Sequence, residues 1–392
     1  MKLLTFSTLF PNEKQPGHGI FVETRLRELV ASGQVSSRVV APVPWFPSSH
    51  PRFGQYALYA GVPARERRHG LEIHHPRYVA LPKVGMNVAP MLLAQGAKRE
   101  IGRILDQGYD FDAIDAHYFY PDGVAAAMLG RYFNKPVVIT ARGSDVNLLP
   151  RYPLPRRMIQ WAARQAKGII TVSNALKEGL VQLGVAPAAI TPLRNGVDLE
   201  KFHPMNRDAV RAALGLRRFT LISVGHLVEL KGHHLVIGAL PRLPDTELLV
   251  AGSGPERARL EALARTLGVA DRVRFLGAVP HAELAQYFNA ADLMVLASSR
   301  EGWANVLLES MACGTPVVAS RVGGSPEVVA APEAGILMGQ YSSEGVAEAV
   351  QRLRERQPDR GAARRYAEGF SWDFTTRGQI DLFQKIIVEH AA

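Results

Sequence analysis

The chain has 392 residues, enough for two domains that each bury a core, and a single cysteine, Cys313, which excludes an internal disulfide and suits a reducing compartment. With 47% hydrophobic and 21% charged residues it has the composition of a soluble globular protein, and no apolar run reaches spanning length. The net charge of +10 admits nucleic acid, an anionic membrane surface or phosphorylated ligands as partners. The basic clusters, Arg65-Glu66-Arg67-Arg68-His69 and Arg156-Arg157, carry no interleaved stacking aromatics, so nucleic acid is the least favoured. The run Met1 to Ser7 is too briefly apolar for a secretory signal, and a cytoplasmic location is expected.

In chain order the periodicity predicts a strand over Leu3 to Ser7, a loop at Gly17-His18-Gly19, and a helix over Ile20 to Ala31. A second strand, Arg38 to Ala41, stops at Pro42, and an irregular stretch rich in Pro, Gly, Tyr and Ser follows from Trp45 to Arg68. A helix over Asn87 to Leu105 then leads to a strand at Phe111 to Ala116, ending at His117. Strands at Val137 to Thr140, Gly168 to Val172 and Ile190 to Leu193 alternate with helical segments, one of them capped by Ser173. Asn195-Gly196-Val197-Asp198 is a strong turn signal, after which the alternation restarts with strands at Phe219 to Val224, Glu247 to Ala251, Val273 to Leu276, Leu293 to Ala297 and Pro316 to Ala319. Such alternation predicts parallel sheets covered on both faces. Two Rossmann-like, doubly wound α/β domains facing across a cleft are expected: residues 1–195, residues 196–370, and a C-terminal helix at 371–392 packing back on the first domain.

In an open α/β sheet, ligands sit beyond the carboxyl ends of the strands. After the strand Leu293 to Ala297 comes Ser298-Ser299-Arg300-Glu301-Gly302-Trp303-Ala304-Asn305, with Asn305 the expected N-cap of a helix from Val306 to Ala312. Helix N-termini bind anions, and carboxylates accept hydrogen bonds from sugar hydroxyls. Glu301 and Glu309 bracket this turn, so a ligand that is part phosphate and part polyol, such as a nucleotide sugar, fits it. After Phe219 to Val224, Lys231-Gly232 opens a helix where a lysine can meet a diphosphate; alone it is better read as a solvated lysine.

Taken in order, Lys231-Gly232, Ala251-Gly252-Ser253-Gly254-Pro255, Arg274-Phe275-Leu276-Gly277 and the Glu301/Glu309 pair, with Asn195-Gly196-Val197-Asp198 and Gly314-Thr315-Pro316, resemble the retaining glycosyltransferases of family 4, which have the GT-B fold. Gly17-His18-Gly19 and Arg142-Gly143-Ser144-Asp145 extend the resemblance to the first half. The resemblance implies a hexosyltransferase with a nucleoside-diphosphate-sugar donor of UDP or GDP type and no essential metal or other cofactor. It implies that Lys231 holds the diphosphate and that Glu301 faces the transferred sugar, with Gly302 and Trp303 presenting backbone N–H groups. Glu309 would accept from the ribose diol, the backbone of Gly277 to Val279 would read the base, and His117 would reach the sugar across the cleft. Gly17 and Gly19 would let the first helix approach the phosphates or the acceptor. The family commonly has arginine where this chain has His226; either His226 itself donates to the diphosphate, or Arg142 or Arg300 substitutes as the cation.

Competing signals are weaker. Asp110-Phe111-Asp112 has metal–diphosphate spacing but precedes a strand, and reads as a solvated turn. The pairs His74-His75 and His233-His234 read as surface or packing residues, and Glu23, Glu178 and Glu283 as solvated helix acids. Gly17/Gly19 lacks the third glycine of a dinucleotide fingerprint, which disfavours an oxidoreductase. A sugar-nucleotide epimerase or a non-catalytic sugar-nucleotide-binding protein are the alternatives. The stretch from Pro42 to Arg68, with Trp45, Phe46, Tyr56 and Tyr59, is the expected acceptor-facing part; with the basic charge it suits a glycan or lipid-linked acceptor and a peripheral place on an anionic membrane surface.

Overall fold

The structure, a computed structural model, describes residues 1–81 and 85–391. It divides into two compact units, one made of Met1–Arg194 with the segment from Asp373 onward, the other of Asn195–Trp372.

The strands of the first unit are β1 (Lys2–Phe6), β2 (Ser36–Val40), β3 (Val43–Pro44), β4 (Arg65–Arg68), β5 (Leu71–His74), β6 (Arg77–Tyr78), β7 (Ala113–His117), β8 (Val137–Ala141), β9 (Gly168–Thr171) and β10 (Ile190–Pro192). Eight of them form one sheet in the order β10-β9-β8-β7-β1-β2-β5-β4, parallel except for β4, while β3 pairs with β6 apart. Strands β7 and β8 are buried at every position, as strands covered on both faces must be, which is why they read as continuous apolar runs. The chain winds outward in one direction from β1 to β2 and in the other from β7 to β10, so the order reverses between β1 and β7. The C-terminal helix Trp372–Ala391 contributes Ile380, Phe383 and Ile386 to the core around Leu3, Ala113 and Val138. A fully buried arginine, Arg25, donates to Gln379 of that helix at 2.9 Å and to the Leu193 carbonyl at 2.9 Å.

The stretch expected to be irregular from Trp45 to Arg68 is partly ordered: it holds a short helix, Gln55–Gly61, and the edge strand β4. An Arg-Glu-Arg-Arg strand carries no apolar alternation, so its stability lies elsewhere. Arg65 pairs with Glu100 at 2.9 Å, Glu66 with His75 at 2.7 Å, and Arg68 with Glu23 at 2.9 Å. Glu23 is therefore not a solvated helix acid; it is 3% exposed and ion-paired. Charged side chains on an edge strand also discourage pairing with another chain.

The second unit holds β11 (Phe219–Val224), β12 (Thr246–Ala251), β13 (Val273–Gly277), β14 (Leu293–Leu296), β15 (Val317–Ala319) and β16 (Gly335–Leu337), all parallel, in the order β13-β12-β11-β14-β15-β16. The order reverses between β11 and β14, whose centres align as Leu221 with Leu293. Leu221, Val236, Leu248, Leu293 and Val350 belong to a core that fixes the strand ends from which the loops emerge.

Candidate functional site

In doubly wound sheets the crevice lies where the strand order reverses, beyond the carboxyl ends of the strands. In the second unit that place is flanked by the loop from Gly225 to Gly232, after β11, and by the loop from Ala297 to Ala304, after β14. The two loops are locked together. Gly232 has φ +67°, and a Cβ there would lie 1.7 Å from the Ala297 carbonyl oxygen, so no other residue fits. The Ser299 N–H donates to the Leu230 carbonyl at 2.9 Å.

This lock brings Lys231 and Glu301 together across 70 residues of sequence. The Lys231 ammonium lies 2.6 Å from Glu301 Oε1, and the Ser298 hydroxyl donates to the same oxygen at 2.7 Å. The Glu301 side chain is 10% exposed, and among the described residues its Oε2 has no hydrogen-bond partner. Behind it, Gly323 at φ +50° lets the next loop pass so close that a Cβ would sit 1.8 Å from the Glu301 carbonyl oxygen. Gly302 and Trp303 are buried, and the Trp303 ring packs against Phe370 with centroids 6.2 Å apart.

Asn305 is not the N-cap. The helix begins at Asn305 itself, Ala304 occupies the cap position, and the Asn305 carboxamide accepts a hydrogen bond from Asn195 at 3.1 Å. The side chain is committed to the Asn195-Gly196 turn and is not available to cap its own helix. One turn further on, Glu309 Oε1 lies 2.9 Å from His281 Nε2, and His281 Nδ1 lies 2.6 Å from the Lys201 ammonium. Glu309 Oε2 is buried without a partner. Val279 is half-buried in the turn between β13 and His281, where Gly277 adopts φ +75°.

His226 is exposed, and its Nδ1 donates to the Ser253 carbonyl. His233 is a packing residue: it is 2% exposed, bonds Ser223 Oγ at 2.9 Å, and burial pushes its pKa down to about 4. Cys313 is buried at the end of the Asn305–Ala312 helix, and burial beside Glu309 pushes its thiol up to about 12.

In the first unit the corresponding crevice lies beyond β1 and β7, where the loop containing Gly17 and Gly19 and the strand end at His117 are found. The two glycines differ. At Gly19, φ is +68° and a Cβ would come within 2.3 Å of the Leu9 carbonyl, so the chain itself demands glycine; at Gly17 nothing lies within 4 Å. The His117 imidazole, expected to reach a sugar, is instead 1% exposed with both nitrogens engaged. A guanidinium only donates, so the 2.7 Å contact from Arg142 Nη2 makes Nδ1 an acceptor and leaves the proton on Nε2, 3.2 Å from Asp115 Oδ2. Burial holds the His117 pKa below the usual histidine range despite Asp115. Arg142, expected as a replacement cation, is turned onto His117 and the Phe21 ring, 5.3 Å away. Its pKa is lowered to about 10 by burial, and its backbone N–H donates to Asp145 Oδ1 at 3.1 Å.

The Asp110/Asp112 pair anchors a turn: Asp110 meets Lys135 at 2.6 Å and Asp112 accepts the Lys2 N–H at 2.7 Å. Among the described residues, no group of three His, Cys, Asp or Glu side chains could hold a metal ion. Ser298, Lys201, His281 and Asn195 were not legible as site residues, because each acts through a contact with a distant segment.

Two doubly wound units, the second with its cation–carboxylate pair at the point of strand reversal, define a GT-B architecture. The family described as Glycosyltransferase Family 4 matches residues 20–201, and that described as Glycosyl transferases group 1 matches residues 206–370. The chain belongs to this glycosyltransferase family and is a glycosyltransferase. It is 29% identical over 369 residues to the putative teichuronic acid biosynthesis glycosyltransferase TuaC of Bacillus subtilis, covering 91% of this chain and 90% of that one. It spans about half the length of other curated relatives, with which it shares 36–38% identity. Its fold matches sucrose-phosphate synthase from Thermosynechococcus elongatus with a TM-score of 0.81, 21% identity and 99% of each chain covered. It also matches Anabaena HepE solved in complex with UDP, with a TM-score of 0.73, 20% identity, and 98% of this chain and 100% of that one covered.

Proposed function

We propose that the enzyme transfers a sugar from a nucleoside-diphosphate donor, of UDP or GDP type, to a glycan or lipid-linked acceptor of the cell envelope, with retention at the anomeric carbon. The observation that carries this reading is the Lys231–Glu301 pair at the strand reversal of the second sheet. The ammonium has three donors and spends one on Glu301, so the others can meet the diphosphate. Charge grows on the departing diphosphate during transfer, and a fixed cation there stabilises that state more than the bound donor. Glu301 receives a sugar hydroxyl on Oε2. With Oε1 held by an ammonium and a hydroxyl, its carboxylate is a poor nucleophile, which favours front-face attack with a leaving phosphate oxygen taking the acceptor proton. Glu309 receives the ribose diol, the turn at Gly277 to Val279 reads the base, and Gly302, Trp303 and Asn305 border the sugar pocket. Lysine and helix ends do the electrostatic work, so no metal is needed. The relative named for teichuronic acid biosynthesis and the neighbour solved with UDP support the envelope setting and the donor class.

In the first unit, the open surroundings of Gly17 leave room for phosphate or acceptor, while His117 and Arg142 shape the crevice wall from beneath. The segment from Trp45 to Tyr59 serves the acceptor. Phe46, Phe53 and Tyr56 cluster at 5.1–5.2 Å, and Trp45 (57%), Leu58 (43%) and Val79 (53%) are exposed. With the basic charge, that surface suits the anionic inner face of a membrane, which makes the protein cytoplasmic and peripheral. Among the described residues no helix is long and apolar enough to cross a membrane.

The test is incubation with UDP-, GDP- and ADP-sugars, with and without envelope extracts. Acceptor-dependent release of nucleoside diphosphate, insensitive to EDTA and giving the donor's anomeric configuration, is expected. Epimerisation without acceptor, or binding with neither transfer nor hydrolysis, would replace this reading. Liposome co-sedimentation that ignores anionic lipid would remove the membrane part.

A further inference from the structure

We propose that His281 and Lys201 are positioning residues that aim Glu309 at the ribose of the nucleotide and so make the enzyme select ribonucleotides over deoxyribonucleotides; this rests on the donor-site reading above. The proton positions follow from the contacts. The Lys201 ammonium can only donate, so His281 Nδ1, 2.6 Å away, accepts. The remaining ring proton then sits on Nε2 and donates to Glu309 Oε1 at 2.9 Å. One carboxylate oxygen is thereby fixed, while the other, Oε2, is buried and has no partner. Buried acceptors without partners are rare and costly in folded proteins, and a pair of vicinal hydroxyls supplies the missing donor.

The relay is built to hold its geometry. The His281 ring packs edge-on against Phe202 at 5.2 Å, and Phe202 in turn packs against Phe288 at 6.1 Å. Lys201 is set by the preceding turn, where its N–H donates to Asp198 Oδ1 at 2.9 Å. His281 begins a short turn of helix two residues after Val279, so one brief segment carries both the proposed base contact and the imidazole that orients the ribose acid. An ammonium, a neutral imidazole and a carboxylate in series keep Glu309 an acceptor only. It then rewards hydroxyl donors and nothing else.

A purely structural staple between these segments would affect melting temperature but not ribose recognition, and the experiment separates the two. Dissociation constants for UDP, GDP and ADP, and for their 2′-deoxy counterparts, are measured by calorimetry on the full chain and on Glu309→Ala, His281→Ala, Lys201→Met and His281→Gln. The wild type should prefer the ribose form by about tenfold to a hundredfold, the value of a hydrogen bond to a charged group. Glu309→Ala and His281→Ala should bring that ratio close to unity, Lys201→Met should lower it partway, and His281→Gln, whose amide N–H can still donate to Oε1, should restore it. If Glu309→Ala collapses the ratio while His281→Ala and His281→Gln both keep the wild-type value, the relay is overturned and Glu309 keeps its role. If Glu309→Ala itself keeps the ratio, the ribose role of Glu309 falls and the relay with it. Failure of the wild type to bind any of the six compounds overturns the donor reading.

Discussion

Replacing Lys231 with methionine separates the chemistry of the Lys231–Glu301 pair from its structural cost. The ammonium is 2.6 Å from a carboxylate that is 10% exposed, and after the substitution that carboxylate keeps only the Ser298 hydroxyl. Leaving a buried charged acceptor short of a partner costs about 1–3 kcal/mol, so the melting temperature should fall by a few degrees. Loss of a preorganised donor at the site of developing charge costs about 10²–10³ in turnover. The two losses have different remedies. Lys231→Met combined with Glu301→Gln removes the stranded charge, so the double variant should recover melting temperature and recover no turnover. Calorimetric melting and a nucleoside-diphosphate release assay measure both. Turnover of Lys231→Met within threefold of wild type would refute the role given to the lysine, and a double variant that melts as low as the single one would refute the pair as the source of the stability loss.

Other substitutions probe single features. Gly19→Ala should destabilise by more than the about 1–2 kcal/mol that a left-handed residue costs, because its Cβ also meets the Leu9 carbonyl, whereas Gly17→Ala should leave melting unchanged and lower turnover. Cys313 should resist iodoacetamide at pH 8 in the folded protein and react only in denaturant, since its thiol is buried and raised to about 12. His233 has a folded pKa of about 4 against 6.5. Its contribution to stability is therefore complete above pH 6.5 and lost as pH falls toward 4, by up to about 3 kcal/mol. The stability difference between wild type and His233→Gln should change over that window and be flat above it.

Periodicity made the strands visible because nearly all lie inside parallel sheets, where both faces demand apolar residues. The edge strand Arg65–Arg68 escaped because ion pairs, not burial, hold it, and the parallel strands Leu71–His74 and Gly335–Leu337 escaped because runs of four and three residues carry too little pattern. Glu301 and Lys231 were legible as candidates from motif order, but their pairing depends on Gly232 resting on Ala297, a contact that no local pattern encodes. Asn305 has the composition of a cap and is pulled away by Asn195. His117 has the position of a ligand, at a strand end, and is consumed by Arg142 and Asp115. In each case local chemistry gave the right residue type, and a distant partner decided what the side chain does.

The contact at His226 limits what its side chain can offer a diphosphate. Its Nδ1 hydrogen is spent on the Ser253 carbonyl, so a neutral ring presents only the lone pair of Nε2. A diphosphate oxygen would be repelled by that lone pair and attracted by an Nε2 hydrogen, so only the imidazolium is a ligand. Arginine always carries its charge and presents a planar fork of donors, so His226→Arg should bind nucleoside diphosphate more tightly than the wild type. The gain, measured with UDP and GDP by calorimetry, should be about tenfold, the value of one added charge-assisted hydrogen bond. Equal affinity of the two proteins would mean that the side chain at position 226 makes no contact with the diphosphate, leaving Lys231 as the cation that holds it.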